Sequence, residues 1–176
     1  MPADQPPRQR VELSADAANT YDIRIARDGT WFHEGAPIGR KALVKLFASV
    51  LWRDDGGYWL RTPAEQGRIE VEDAPFTAVE LSVKGEGRDQ VLAFRTNLDE
   101  WVEAGPAHPL RMVEHPPNGD PTPYIEVRDR LEALVLRPVY YELAELAMPA
   151  PQSGPGPAGC LGVWSHDAFF VLGPAQ

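Results

Sequence analysis

Apolar and polar residues alternate near the start of the chain. The alternation over residues 21–25 predicts a half-buried strand. The Asp28-Gly29 dipeptide that follows suits a type I′ turn, so residues 30–33 are predicted to return as a second strand. The chain therefore opens with a predicted β-hairpin.

The pattern changes to helical spacing after this hairpin. From Arg40 to Leu51 the apolar residues recur on one side of a helical wheel, which predicts a helix with a single buried stripe. The predicted stripe consists of Leu43, Leu46, Phe47, Val50 and Leu51. Gly56 and Gly57 supply the left-handed conformation that commonly follows a helix, so the helix is predicted to end before them.

Shorter elements follow this helix. Strands are predicted over residues 58–61, 68–72, 79–83, 90–95 and 110–114. Thr62 and Glu65 have the spacing of a capping box, with Pro63 at the first helical position, and Asn97 and Glu100 repeat that spacing. No apolar run follows either box, so each predicts a single helical turn.

The hairpin and the helix are repeated near the end of the chain. Residues 124–135 again predict two short strands around a tight turn, here at Asp129-Arg130. An arginine, Arg137, precedes the second predicted helix as Arg40 precedes the first, and Pro138 suits its first turn. A last hairpin over residues 162–172 follows, as two strands follow the first helix.

Two copies of strand, strand, helix, strand, strand predict an α+β protein with mainly antiparallel sheets. The predicted division is a disordered tail over residues 1–20, an N-terminal half over residues 21–76 and a C-terminal half over residues 77–176. The tail is assigned because its prolines and charges cannot bury enough surface to offset the entropy of ordering it. The seam between duplicated halves is the first place to look for a binding site.

The composition limits the classes of partner. The chain has 26 acidic and 17 basic residues, a net charge of −9, which argues against nucleic acid because no basic surplus can replace phosphate counterions. The longest apolar-rich segment, residues 42–52, is too short to span a bilayer and contains Lys45. Residues 1–10 lack the apolar stretch of a secretory signal. We expect a cytoplasmic protein without membrane insertion.

The sequence has no phosphate-binding loop, nucleophile elbow or zinc motif. Ser165, His166 and Asp167 look like a triad written in a row, but neighbouring residues of a hairpin point to opposite faces. His108 and His115 fall on opposite faces of a possible strand, which does not suit a shared metal. No catalytic residue, metal ligand or cofactor is assigned, and a non-enzymatic protein is favoured.

One segment combines the chemistry of a binding site. Residues 31–40 place aromatic rings, a histidine, a carboxylate and an arginine between a strand end and a helix start. Backbone amides at a helix N-terminus beside a guanidinium can bind an anion. The structural alternative stays open: Gly35 and Gly39 turn the chain, and Arg40 pairs with a nearby carboxylate. Because only the first copy has this segment, the first copy is predicted to be the functional side of the seam.

Several runs of this sequence resemble one bacterial protein family. They are residues 28–40, 43–51, 58–65, 69–76, 95–97, 123–128, 131–133 and 162–165. The family is known as domain of unknown function 1285. The resemblance implies a duplicated two-domain core, a second domain similar to pleckstrin-homology folds and a candidate ligand site at the domain interface. A signalling role is implied, without an established reaction. Family members carry a glycine-rich turn near the C-terminus where this chain has His166-Asp167.

The leading hypothesis is a regulatory or signalling module that binds a small anionic ligand at the seam. The candidate residues are Arg40 for the anion, His33 as a hydrogen-bond donor, Trp31 as an apolar wall, and Thr62, Glu65 and Asp73 as positioning groups. The alternative is a protein-interaction module without a small ligand. A third hypothesis is a hydrolase that uses His33 as a base with Glu34 or Glu65.

Overall fold

The computed structural model describes residues 19–114, 119–154 and 156–175. Most of the predicted tail therefore lies outside the described residues. Its last two residues, Asn19 and Thr20, instead begin the first strand, because they pair with Gly67 and Arg68 in a parallel ladder.

The N-terminal half forms one six-stranded sheet. Its strands are β1 (Asn19–Ile25), β2 (Trp31–His33), β3 (Ala36–Pro37), β4 (Leu51–Asp54), β5 (Gly57–Arg61) and β6 (Gln66–Val71). The strand order is β3-β2-β1-β6-β5-β4, and only β1 and β6 run parallel. Helix α1 (Lys41–Ser49) packs on one face, where Phe47 stacks on Trp31.

The C-terminal half contains a second six-stranded sheet and a smaller one. The large sheet consists of β7 (Phe76–Lys84), β8 (Val91–Thr96), β9 (Trp101–Glu103), β10 (Leu110–Val113), β11 (Thr122–Arg128) and β12 (Leu131–Val135), in the order β10-β11-β12-β7-β8-β9. Helix α2 (Arg137–Glu145) follows. The small sheet consists of β13 (Met148–Pro149), β14 (Cys160–Ser165) and β15 (Ala168–Pro174). A 3-10 turn at Gly87–Asp89 connects β7 to β8.

The α+β class with two related units is confirmed. Each large sheet has one parallel pair, β1 with β6 and β12 with β7, and its other pairs are antiparallel. The two units differ after the helix. In the first, the following strands rejoin the sheet of their own hairpin, whereas in the second they form the separate three-stranded sheet. The pleckstrin-homology-like character of the second half stays a prediction.

The first hairpin turn is not the predicted type I′. Type I′ needs two successive residues with positive φ, and here only Gly29, at φ 91°, has one. The amide of Ala26 donates to the carbonyl of Thr30, which leaves a three-residue loop whose last residue is left-handed. An Asp-Gly dipeptide fits both turns, so the sequence did not separate them. The second hairpin does use a type I′ pair, Asp129-Arg130, with φ values of 46° and 66°.

The first helix is shorter than predicted, and its buried face is rotated. Leu51 belongs to β4 and not to the helix. Val44 and Ala48 are buried, whereas Leu43 is 37% and Leu46 is 63% exposed. The apolar stripe prediction is therefore wrong for these two leucines. The face that bears Val44 and Ala48 packs into the core that both halves share.

Neither predicted capping box forms a helical turn. In the first, Oγ1 of Thr62 does accept from the amide of Glu65 at 3.1 Å, and the amide of Thr62 donates to the Glu65 carbonyl. That pairing closes the tight turn between the antiparallel strands β5 and β6. The segment beginning at Asn97 likewise connects β8 to β9. In both cases the hairpin uses backbone groups that a helix would need.

The two halves share one hydrophobic core. Ile25 and Trp31 from the first half pack in the same cluster as Phe76, Phe94 and Ile125 from the second, and all five are at most 1% exposed. The halves are thus held together by buried apolar surface as well as by polar contacts. Among the residues described, no helix has the length and apolarity that crossing a membrane requires.

Candidate functional site

The structure does not bring the six predicted site residues together. Trp31 is a core residue, 1% exposed, and so does not line an open pocket. The side chain of His33 is 57% exposed and lies 3.9 Å from the carboxylate of Glu34. Arg40 is exposed at the N-terminus of α1, which has no side-chain cap.

The remaining three candidates lie at opposite ends of one strand. Thr62 and Glu65 form the turn before β6, and Asp73 follows the end of that strand. The six-residue strand β6 lies between Glu65 and Asp73 and spans about 20 Å. Of the six candidates, Asp73 is the one in polar contact with the C-terminal half.

Asp73 is the centre of a polar contact between the halves. The hydroxyl of Tyr124, on β11, donates to Oδ1 of Asp73 at 2.6 Å. Nε of Arg27, in the β1–β2 turn, lies 3.5 Å from Oδ2 of the same carboxylate. Burial raises the pKa of Tyr124 well above its usual range, and the Asp73 carboxylate beside it raises it further. The tyrosine therefore stays neutral and acts as a donor.

The β1–β2 turn is fixed against the second half by Asn97. The amide of Thr77 donates to Oδ1 of Asn97 at 3.1 Å, and the amide of Asn97 donates to the Thr77 carbonyl at 2.9 Å. Nδ2 of Asn97 donates to the carbonyl of Gly29 at 3.5 Å. These contacts determine where the turn places Arg27.

Helix α1 is held at both ends by residues of the second half. Lys41 and Lys45 lie 2.8 Å and 3.2 Å from Oδ2 of Asp99, and their hydrogen bonds lower the pKa of that carboxyl to about 2. At the other end, Nη2 of Arg128 donates to the carbonyl of Ala48 at 2.7 Å. The helix with the predicted anion site is thus a structural link between the halves.

A pocket of about 690 Å³ opens where the β1–β2 turn meets the second half. We call it the seam pocket. It is lined by Arg27 from the first half and by Gly119, Asp120, Pro121, Thr122, Pro123, Leu134, Val135, Leu136, Arg137, Tyr140 and Tyr141 from the second. Its walls combine apolar side chains with two guanidinium groups, which is the composition of many small-ligand sites.

Both arginines of the seam pocket lie farther from their carboxylate partners than the other paired arginines do. Arg27 lies 3.5 Å from Asp73, and Arg137 lies 3.7 Å from Asp120. Every other arginine–carboxylate pair among the described residues has a contact of 3.0 Å or less. The pocket also faces the start of α2, whose N-cap residue Leu136 offers no side-chain cap. The pocket can therefore donate several hydrogen bonds to an anion.

Two further pockets are less suited to a ligand. One, of about 540 Å³, lies on the outer face of the N-terminal sheet, where Arg24 is already engaged by Glu72 at 2.5 Å and covers the ring of Phe32. The other, of about 530 Å³, contains His108 and His166. Within the parts of the chain that the structure describes, no group of three or more metal-ligating side chains could hold an ion.

The side chains of Ser165, His166 and Asp167 contact different partners. Oγ of Ser165 donates to the carbonyl of Ala104 and accepts from the amide of Leu92. Nε2 of His166 lies 2.5 Å from Glu103, and Asp167 pairs with Arg88. The three side chains do not converge, which agrees with the sequence argument.

Two family models together match most of the chain. Residues 12–74 match the domain of unknown function DUF1285, N-terminal domain, and residues 75–172 match the protein of unknown function DUF1285, C-terminal domain. The chain belongs to the DUF1285 family. The resemblance drawn from the sequence is thereby confirmed, and the change from one model to the other falls just before β7 of this DUF1285 protein.

Crystal structures of two relatives match the fold of this DUF1285 protein. A DUF1285 family protein from Silicibacter pomeroyi DSS-3 is 44% identical with a TM-score of 0.81, over 89% of this chain and 81% of that one. A DUF1285 family protein from Shewanella baltica OS155 is 25% identical with a TM-score of 0.56, over 71% of this chain and 91% of that one. No protein of curated function matches the chain.

Sequence reasoning missed the residues of the seam pocket. It singled out Arg40 ahead of the first helix and treated Arg137, ahead of the second, as part of a structural partner. In this DUF1285 protein the pocket lies beside Arg137. The signal that could have found it is the repeated arginine itself, since both copies place one at the N-terminus of a helix without a side-chain cap. Nothing in the sequence pattern marks Arg27 as a site residue, because only the fold brings it next to the second half.

We expect Tyr124→Phe to lower the free energy of unfolding of this DUF1285 protein by about 1–2 kcal/mol near pH 7, since Asp73 loses a buried hydrogen bond. The raised pKa of Tyr124 also predicts a pH effect. The unfolded tyrosine ionises above about pH 10, whereas the folded one does not, so stability falls as the pH rises beyond 10. Between pH 8 and pH 10.5, the free energy of unfolding measured with urea should therefore decrease less in Tyr124→Phe than in the wild type.

The matched control is Tyr141→Phe, because the side chain of Tyr141 is exposed. We expect this variant to keep both the wild-type stability near pH 7 and the wild-type loss at high pH. Equal pH dependence in Tyr124→Phe and the wild type would contradict the assignment.

Proposed function

We propose that this protein is a cytoplasmic regulatory module that binds a small anionic ligand in the seam pocket. The observation that carries the proposal is that one pocket receives a guanidinium group from each half, Arg27 and Arg137. A ligand held between them contacts both halves at once. Binding of the ligand would stabilise the packing of the two halves against each other. A regulatory module requires this coupling between ligand binding and the arrangement of its halves.

The charge of the pocket supports an anion although the whole chain carries a net charge of −9. Surface charges act over roughly 8 Å at physiological salt, so distant carboxylates contribute little here. Within the pocket lining, two arginines face a single carboxylate, Asp120. Asp73 lies beside the lining as a second carboxylate, 3.5 Å from Arg27, so the support for an anion comes from the guanidinium N–H donors that these two carboxylates do not occupy.

The test is a thermal-shift screen of metabolites and nucleotides against the wild type, Arg137→Ala and Arg40→Ala. A ligand at about 100 times its dissociation constant adds roughly 2.7 kcal/mol, a melting shift of about 5–10 °C for a chain of this length. We expect the shift to disappear in Arg137→Ala and to persist in Arg40→Ala. The two arginines are a matched pair, because each lies at the N-terminus of one helix: Arg40 is the N-cap residue of α1, and Arg137 is the first residue of α2.

The two possible failures have different meanings. A shift that is lost in Arg40→Ala and kept in Arg137→Ala would move the site to the first helix, where the sequence predicted it. No shift with any compound would reject ligand binding in the seam pocket.

A second candidate function is the binding of a protein partner. It is favoured by the exposed apolar residues of α1, since Leu46 is 63% exposed and Leu43 beside it is 37% exposed. Exposed apolar patches commonly mark interaction surfaces. This candidate predicts that no small compound shifts the melting temperature, so the same screen separates the two functions.

A further inference from the structure

We propose that the ligand of the seam pocket is a small organic phosphate monoester, and that Asp120 competes with it for Arg137. This inference rests on the proposed function and adds the class of ligand and a built-in competitor. The two arginines of the seam pocket have carboxylate partners that differ in how firmly they are held.

The partner of Arg27 is fixed. The side chain of Asp73 is only 15% exposed, and its Oδ1 accepts from the hydroxyl of Tyr124 at 2.6 Å. An incoming anion cannot displace this carboxylate without breaking a buried hydrogen bond. Arg27 therefore keeps its neighbour and offers only its remaining donors to a ligand.

The partner of Arg137 is replaceable. The side chains of Asp120 and Arg137 are 83% and 69% exposed, and they lie 3.7 Å apart, beyond hydrogen-bond distance. Exposed ion pairs of this kind add little to stability, so separating them costs little. Asp120 nevertheless places a negative charge beside the position that a ligand anion would take, which weakens binding until the carboxylate moves away.

The remaining lining defines the ligand. Two guanidinium groups suit a ligand group with several anionic oxygens, and a phosphate monoester carries close to two negative charges near neutral pH. Leu134, Leu136 and Tyr140 form an apolar wall that suits a ring or a short hydrocarbon chain. A carboxylate ligand of the same size has one negative charge and two oxygens, so it accepts fewer hydrogen bonds from the two arginines than a phosphate does.

The experiment compares three probes by NMR titration of the full-length protein: phenyl phosphate, benzoate and inorganic phosphate. Phenyl phosphate should bind the wild type most tightly, with shifts in the backbone amides of residues 27 and 137. Binding should weaken at least about tenfold in Arg27→Ala or Arg137→Ala. Asp120→Asn should tighten it about three- to tenfold, because the competing charge is removed.

The control for the change in net charge is Asp55→Asn. Asp55 is 97% exposed and pairs with Arg130, and neither residue lines the pocket. An equal affinity for phenyl phosphate in Asp120→Asn and Asp55→Asn would overturn the competitor role while leaving ligand binding intact. Tighter binding of benzoate than of phenyl phosphate would overturn the phosphate assignment. Absence of binding by all three probes, together with a negative metabolite screen, would reject the proposed function itself.

Discussion

Gly29→Ala is expected to lower the free energy of unfolding by about 2–4 kcal/mol. Gly29 has φ 91°, a left-handed conformation that alanine adopts at a cost. An added Cβ would also lie 2.7 Å from Nδ2 of Asn97 and 3.3 Å from Oγ1 of Thr77. The turn or the Asn97 side chain must then shift, which weakens the hydrogen bond from Asn97 to the Gly29 carbonyl and so the attachment of the turn to the second half. Urea unfolding followed by tryptophan fluorescence measures the loss.

Gly35→Ala is the matched control for this variant. Gly35 also has a positive φ, 79°, but no atom lies within 4 Å of an added Cβ. In Gly35→Ala the free energy of unfolding should fall only by the cost of the left-handed conformation, about 1–2 kcal/mol. The difference between the two variants measures the contact between the β1–β2 turn and Asn97. Equal losses would show that the turn is not closely packed there.

The same variant connects stability with binding. Displacement of the turn also displaces Arg27, which lies two residues before Gly29. We therefore expect Gly29→Ala to weaken any ligand of the seam pocket, whereas Gly35→Ala should bind as the wild type does. This readout separates a local effect on the pocket from a general loss of stability.

Ser165→Ala is the second variant with a large expected effect. Ser165 is fully buried, and its hydroxyl joins the small sheet to the large one by accepting from the Leu92 amide at 2.9 Å and donating to the Ala104 carbonyl at 2.6 Å. Alanine leaves both backbone groups buried without this partner. Because each unsatisfied group costs about 1–3 kcal/mol, we expect a total loss of about 2–4 kcal/mol. The free energy of unfolding from urea titrations tests this value.

Ser49→Ala provides the comparison. Ser49 is exposed at the end of α1, where its hydroxyl donates to the Leu46 carbonyl within the same helix. Its replacement should change stability by no more than about 0.5 kcal/mol. If Ser165→Ala were equally mild, another group would have to satisfy the Leu92 amide and the Ala104 carbonyl.

Local patterns predicted local structure well. The alternation over residues 21–25 lies in β1, and most strands predicted from short apolar runs are present within a few residues. Very short strands, such as β3 and β13, were not predicted, since two residues carry no detectable period. The buried face of α1 was also missed, because Leu43 and Val44 are both apolar and the sequence does not show which of them enters the shared core.

The candidate site depended more strongly on the fold. Trp31 had the chemistry of a pocket wall, yet its ring fills the core, because the sheet and α1 enclose it from both sides. Asp73 is close in sequence to Thr62 and Glu65, but strand β6 separates it from them. Arg27 and Arg137 are distant in sequence, and the fold places them around one pocket.

The sequence by itself determined the family, the α+β class, the duplicated unit and the arginine ahead of each helix. Propensity, periodicity and turn chemistry act over a few residues, so they can be read along the chain. Only the tertiary structure decided which arginine borders a pocket, which tryptophan is buried and where the two halves touch. Those properties depend on contacts between residues far apart in the chain, such as Asp73 with Tyr124, which form only when the shared core brings both halves together.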